Sequence, residues 1–373
     1  MNDTLNVGIL TGKPSGLADL IDEIAQLINR YSSLPNEHDA LLAACWIIQT
    51  YCYEWFQYCG YLALRSATPR CGKSRTLRLI GALCLGSPKP MTTPTAAVLF
   101  RNPSKVLILD EVDRLRNADK EKFGDVMGVL NAGYEKGGVV QRNVPSKGGD
   151  WVPKAFDVYG PKALAGIEFL TDTLADRTFM IPMRRAPRRL PRLNLRHLQS
   201  EINRLCSDIQ TWVKEHQTQI ETAYDQLPDS LECLARFDDR LQDIAEPLVV
   251  LASLADEERS EGPAILLRLL GAISAAAEQR EPCAREMTLW PILKIAKVRI
   301  GDNLKVFVPS NEFVECCTLA DATDWIDSPR KLAGFLRNFD LRPRESPDGQ
   351  CRGYWLTREW VEEWQSQYPI PHD

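Results

Sequence analysis

Apolar positions recur at spacings of three and four through much of the chain. Leu17, Leu20, Ile21, Ile24, Leu27 and Ile28 make one stripe of a helix, and a second helix is predicted from Asn36 to Tyr58, with Glu37, His38 and Asp39 in its first turn. These helices are expected to pack on the edge of the core that follows. The pattern then shifts to short unbroken apolar runs, the mark of buried parallel strands: Tyr61–Leu64, Val106–Leu109, Val158–Ile167 interrupted by Gly160-Pro161, and Thr178–Met183. Between them lie helical stretches at Thr95–Arg101 and Asp119–Tyr134, and two alternating runs, Val139–Val144 and Trp151–Phe156, that flank a Gly-rich turn and predict a β-hairpin with Lys147 near its tip. Strands alternating with helices predict an α/β sheet over about 60–185.

Beyond residue 185 the helical spacing returns. One long helix is predicted from Leu195 to Leu227, with others at Ser230–Ala255 and Pro263–Ala277, giving an all-α segment over 186–281. The last stretch, 282–373, predicts helices at Asn311–Leu319 and Pro329–Asn338, strands at Leu341–Arg344 and Arg352–Leu356 around Ser346-Pro347-Asp348-Gly349, and a closing helix at Thr357–Gln367. That order fits a winged-helix-like module. Arg330, Lys331 and Arg344 are its candidate DNA contacts; Glu359, Glu362 and Glu363 oppose a DNA footprint, and protein binding is the alternative.

The chemistry sits at the turns after two strands. Ala67-Thr68-Pro69-Arg70-Cys71-Gly72-Lys73-Ser74 joins an apolar strand to an amphipathic helix, as in a phosphate-binding P-loop, although Ala67 stands where the usual pattern has glycine. Amides at the helix start point at an anion, Lys73 neutralises the β- and γ-phosphates, Ser74 holds Mg²⁺, and Pro69, Arg70, Cys71, Gly72 and Arg75 complete the cradle. The run Val106–Leu109 ends in Asp110-Glu111, where Asp110 binds Mg²⁺ through water and Glu111 polarises the attacking water. ATP and Mg²⁺ are the cofactors expected.

Composition narrows the classes. The 373 residues suit two or three domains, and the net charge of −5 confines any nucleic-acid contact to local patches. One such patch is Arg184, Arg185, Arg188, Arg189, Arg192 and Arg196, with no acid between Arg177 and Glu201; it reads equally as a phosphate contact or a solvated linker. No run of 18 or more apolar residues and no leader-like N-terminus occurs, so a cytoplasmic location and no membrane contact are expected. Eleven cysteines without a C-x-x-C pair suggest reduced thiols, and Cys45, Cys52 and Cys59 are expected as core residues on one helical stripe.

Gly72-Lys73-Ser74, Asp110-Glu111-Val112-Asp113, Leu130-Asn131-Ala132-Gly133, the segment Gly160–Ile167 and the segment Asp172–Arg177 together resemble the AAA+-type P-loop ATPases of phage, plasmid and integrated-element primase-helicase proteins, in which a little-characterised C-terminal domain often follows a primase-like domain. The resemblance extends to Asp239-Arg240, Pro247-Leu248 and Arg352-Gly353-Tyr354. It implies an AAA+ core with N-terminal helices, a helical lid and a winged-helix-like C-terminal module. It gives Arg177 the place of the arginine finger acting on a neighbouring subunit, Arg240 that of a lid sensor arginine, and Lys162 a candidate place as the strand-end sensor. It further implies a homo-oligomeric ring, a hexamer, with single-stranded DNA in its pore gripped by Lys147 and Arg142, working as a helicase of a mobile element with a primase or defence protein as possible partner. The rival expectation is an ATP-dependent switch that assembles with a protein and unwinds nothing.

Overall fold

The computed structural model describes residues 16–66, 68–92, 94–102, 106–112, 120–145, 150–166, 172–227, 232–259, 264–278, 284–319, 326–339 and 341–368. It divides into two compact units, 1–280 and 281–373. Among the described residues the first holds seven strands: β1 (Tyr61–Arg65), β2 (Met91–Thr92), β3 (Leu107–Asp110), β4 (Val139–Pro145), β5 (Trp151–Asp157), β6 (Lys162–Gly166) and β7 (Thr178–Pro182). Five form one parallel sheet in the order β2-β3-β6-β1-β7, while β4 and β5 pair with each other as an antiparallel ribbon. Parallel strands covered on both sides must be apolar throughout, and Leu62, Leu64, Ile108, Leu109, Ala163, Leu164, Phe179 and Ile181 are all buried.

Two helices precede the sheet, α1 (Leu17–Tyr31) and α2 (Asp39–Gln49), and α3 (Lys73–Leu83) follows β1. The stripe of α1 is fully buried, but its main packing is against α2 and the helix Asp239–Arg259, so it belongs to the helical part of the unit as much as to the sheet edge. α2 stops at Gln49, well short of Tyr58. Thr50 Oγ1 donates to Ile47 O at 2.6 Å, the Trp46 indole donates to Gly60 O at 2.7 Å, and Tyr51 Oη reaches Leu83 O at 2.8 Å, so the chain turns through aromatic anchors that imitate helical spacing. Cys52 and Cys59 therefore lie outside the helix, although all three cysteines of the expected stripe are buried. The α3 helix packs on β1, β3 and β6, closely enough that a Cβ on Gly81 would come within 2.6 Å of Pro88 O.

The strand expected from Val158 begins only at Lys162, because 158–161 is tied up in an unusual lock. Lys162 is 1% exposed, and its Nζ donates to Gly133 O (3.1 Å), Val158 O (2.9 Å) and Gly160 O (2.8 Å) while lying 4.9 Å from the centre of the Tyr61 ring. A buried ammonium is tolerated only with such full pairing. Being at the start of β6, it is a structural tie and not a sensor at the strand's carboxyl end, which corrects the expectation.

The long helix expected over Leu195–Leu227 is two helices, Gln199–Glu215 and Gln217–Asp225. His216 marks the break: its ring stacks on Trp212 at 4.3 Å and its Nδ1 lies 2.8 Å from Trp212 O. Helices Asp239–Arg259 and Ala264–Glu278 complete the unit.

The second unit runs helix Ala284–Ile300, strand Lys305–Pro309, helices Ser310–Leu319 and Pro329–Leu336, strands Arg344–Glu345 and Arg352–Thr357, and helix Arg358–Gln367. Its three strands are antiparallel with Arg352–Thr357 in the middle, around a core of its own that includes Phe313, Phe335, Tyr354 and Leu356. The first strand was not anticipated: Lys305-Val306-Phe307-Val308 is too short a run to stand out after the Gly301-Asp302-Asn303 turn.

Two consequences are measurable. Lys162→Met leaves three buried carbonyls without their charged donor and should cost roughly 3 kcal/mol, read as a drop of several degrees in thermal unfolding. Burial pushes the Asp39 carboxyl up to about 6, against the opposing donation from Asn36 N–H. A carboxyl raised on folding contributes stability below its unfolded value of about 4 that is lost as pH rises through about 6. Asp39→Asn should therefore gain up to about 2 kcal/mol over the native protein at pH 7 and little at pH 4, tested by denaturant melts at both.

Candidate nucleotide site

Parallel strands share a polarity, so every loop that leaves β1, β3, β6 and β7 at its carboxyl end opens onto the same edge of the sheet. Such an edge is where ligands of α/β sheets bind. The β1 exit leads into 66–72 and then α3. Gly72 has φ +89°, the left-handed conformation that a glycine adopts without strain, and Arg70 has φ +66°. Gly72 is the N-cap of α3 and no side chain caps it, so the first amides of the helix are left for an anion.

Lys73 and the buried Ser66 are hydrogen-bonded side chain to side chain across this loop, and Ser66 Oγ donates on to Thr68 O at 2.6 Å. Ser74 is exposed at the same turn. The guanidinium of Arg75 folds back so that Nη2 would lie 3.7 Å from a Cβ on Gly72, and its buried Nε has no hydrogen-bond partner. An orphaned buried guanidinium N–H beside an uncapped helix start is what an anion would satisfy. For Cys71, burial pushes the thiol up, but hydrogen bonds with Thr68 and Ser66 and the charges of Lys73 and Arg185 outweigh it and hold the thiol below its ordinary range.

At the β3 exit Asp110 and Glu111 are both half-buried, and Glu111 N–H donates to Asp110 Oδ1 at 3.0 Å. Glu111 adopts φ +56°, an uncommon conformation for a side-chain-bearing residue and one that costs of the order of 1–3 kcal/mol. Only β6 separates β3 from β1, so the structure brings Gly72, Lys73 and Ser74 and the acidic pair to one edge. Ala165 and Gly166 close the β6 exit with no polar side chain.

Arg177 is elsewhere. Its carbonyl accepts from Tyr61 N–H at 2.9 Å, at the amino end of β1 and so at the opposite end of that strand from the loop that leads into α3. Its guanidinium lies 4.6 Å from the centre of the Tyr134 ring and donates to Thr173 O, while its buried Nε has no partner. Arg240 occupies the other part of the same ring, 4.9 Å from its centre and hydrogen-bonded to Tyr134 Oη, with Asp243 at 3.8 Å. Arg240 is thus grouped with Arg177 at the amino edge of the sheet. The reason is local: its helix begins beside Tyr134, whose carbonyl accepts from Cys59 N–H at 2.7 Å just before β1. Sequence reasoning missed both Tyr134 and Ser66, which carry no motif of their own.

The candidate DNA contacts are dispersed. Arg142 on β4 is engaged by Asp125 at 2.7 Å, Lys147 lies outside the described residues, and in the second unit Arg330 and Arg344 are exposed while Lys331 is paired with Asp327 at 2.7 Å. No group of three or more metal-ligating side chains occurs among the described residues, and no described helix is long and apolar enough to cross a membrane.

No family model matches the chain, and no curated protein matches it. Solved structures do. The SCCmec type IV Cch active helicase aligns over 93% of this chain and 69% of its own, at 12% identity and a TM-score of 0.43. The apo A form of the NrS-1 C-terminal region aligns over 92% of this chain and 78% of its own, at 11% identity and a TM-score of 0.38.

Proposed function

We propose that this chain is an ATP-hydrolysing motor of AAA+ type that assembles into a ring and acts on DNA as a helicase. The observation that carries the nucleotide part is the shared sheet edge, where Gly72, Lys73, Ser74 and the unpartnered Arg75 Nε stand with Asp110 and Glu111. ATP with Mg²⁺ supplies the transferable phosphoryl group and a Lewis acid there. Lys73 and the α3 amides bind the phosphates, the Ser74 hydroxyl and Asp110 carboxylate hold the metal, and Glu111 accepts the proton of the attacking water. Asp110, tethered by the Glu111 amide, is positioned for that task in advance.

The ring assignment draws on the amino-edge pair. Arg177 and Arg240 both lie within 5 Å of the centre of the Tyr134 ring, and two guanidiniums gathered about one ring favour an anion beside them. A phosphate of the next subunit's nucleotide is the anion that fits, so Arg177 serves as the finger and Arg240 as its companion across the interface. The ribbon β4–β5 projects with Trp151, Val152 and Val139 exposed, which suits contact with DNA or with a neighbouring subunit's ribbon in the pore. In the second unit, the order of helices and strands agrees with a winged helix presenting Arg330 and Arg344.

Lys73→Ala should nearly abolish ATP binding, whereas Glu111→Gln should retain binding and lose hydrolysis by at least a hundredfold, measured by nucleotide titration and phosphate release. Equal loss of binding in both variants removes Glu111 from the reaction. Arg177→Ala should keep nucleotide affinity and lose hydrolysis, and mixing it with Glu111→Gln should restore part of the activity through intact composite interfaces. Hydrolysis by native protein that single-stranded DNA does not stimulate overturns the motor in favour of the protein-assembly switch.

A further inference from the structure

The basic run after β7 leads from the phosphate loop to the outer side of α3. It starts at the nucleotide edge: Met183 N–H donates to Arg65 O at 2.5 Å, and Arg185 Nη2 donates to Pro69 O at 3.4 Å. From 183 to 194 the chain has neither helix nor strand, held open by Pro187 and Pro191, and Arg184, Arg185, Arg188, Arg189, Arg192 and Arg196 are all exposed. At its far end it faces α3 across an open cleft of about 670 Å³, lined by Arg78 from the helix and by Arg192, Arg196 and His197 from the run.

The electrostatics of this cleft are one-sided. Acids outnumber bases in the whole chain, 50 to 45, yet no acidic side chain lines the cleft. The first acid that follows, Glu201, lies 3.6 Å from Arg30, and among the described residues none of these arginines has a carboxylate partner. Arg78 Nε is satisfied by Ser74 O at 3.2 Å, which fixes the stem of the side chain and leaves the rest of its guanidinium toward the cleft. Exposed like charges gathered on one surface raise the local positive potential and favour an anion there.

We infer that this track, from Arg185 to the Arg78–Arg192–Arg196 cleft, is a binding site for the sugar-phosphate backbone of a single-stranded nucleic acid, separate from the ribbon and the second unit. Six arginines strung along an extended segment reach over as much as roughly 40 Å, well beyond one nucleotide's phosphates. A cleft with cationic side chains on two sides is a groove that a flexible single-strand backbone can track. Guanidiniums on a backbone read phosphate and not base, so binding is sequence-independent and strongly salt-dependent.

The test measures anisotropy of labelled oligo-dT with the full chain, without nucleotide, across a salt series. In Arg78→Ala/Arg192→Ala/Arg196→Ala the affinity should fall at least tenfold and the log–log salt slope should become shallower by about two, from three lost contacts at roughly 0.7 each. The matching triple lysine variant should keep most of the slope, and the single Arg192→Glu, on the exposed run, gives the same direction if the triple alanine variant unfolds. Oligo-dT affinity unchanged in the alanine triple overturns the site, as does equal loss in the lysine triple. In a Lys73→Ala background, displacement of oligo-dT by inorganic triphosphate at equal charge concentration would show a free-polyphosphate site and also overturn it. Because no hydrolysis is read, a protein whose ATPase ignores DNA but whose oligo-dT binding depends on these arginines retains the track while losing the motor.

Discussion

Everything in the first unit depends on the two parallel ladders that meet on β1. Leu62–Arg65 pair with Ala163–Gly166 on one side and Tyr61–Arg65 with Thr178–Pro182 on the other. A strand held on both sides cannot slip by one residue without turning its buried faces out, so the loop that leaves it starts from a fixed point. At its carboxyl end this fixes Gly72 and Lys73; at its amino end it fixes Arg177 and, through Tyr134, Arg240. At about 3.3 Å per residue, five residues keep these two charged groups some 15 Å apart. One chain by itself keeps them apart.

What was legible from the sequence follows this division between local and non-local. The turn into α3 with Gly72-Lys73-Ser74 and the Asp110-Glu111 pair after β3 announce themselves because a strand, a turn and a helix start are set by neighbouring residues. The hairpin was legible within one residue at its ends, since alternation over Val139–Val144 and Trp151–Phe156 reports a pairing that is itself local. Sheet order carries no such signal: that β6 inserts between β1 and β3 is decided by side chains far apart in sequence.

The misplacements share a physical cause, in that a residue's type does not say which end of an element it lies on. Lys162 suits a sensor until its ammonium is found capped by three carbonyls at the wrong end of β6. Helical spacing over Asn36–Tyr58 and Leu195–Leu227 persisted through a chain reversal and a break because Tyr51, Trp55, Phe56 and His216 keep the apolar rhythm while making contacts that end the helix.

The hydrogen bond from Arg185 to the Pro69 carbonyl joins the basic run to the loop that leads into α3. Arg185 has one guanidinium to give, and an anion that draws it away releases the carbonyl of the loop in which the proposed nucleotide site lies. The two occupants then bias one equilibrium, and the bias is reciprocal: whatever a bound nucleotide does to the grip of the basic run, an occupant of that run does by the same factor to the grip on the nucleotide. A single exposed contact of this strength limits that factor to roughly tenfold, enough for a signal and too small for a latch.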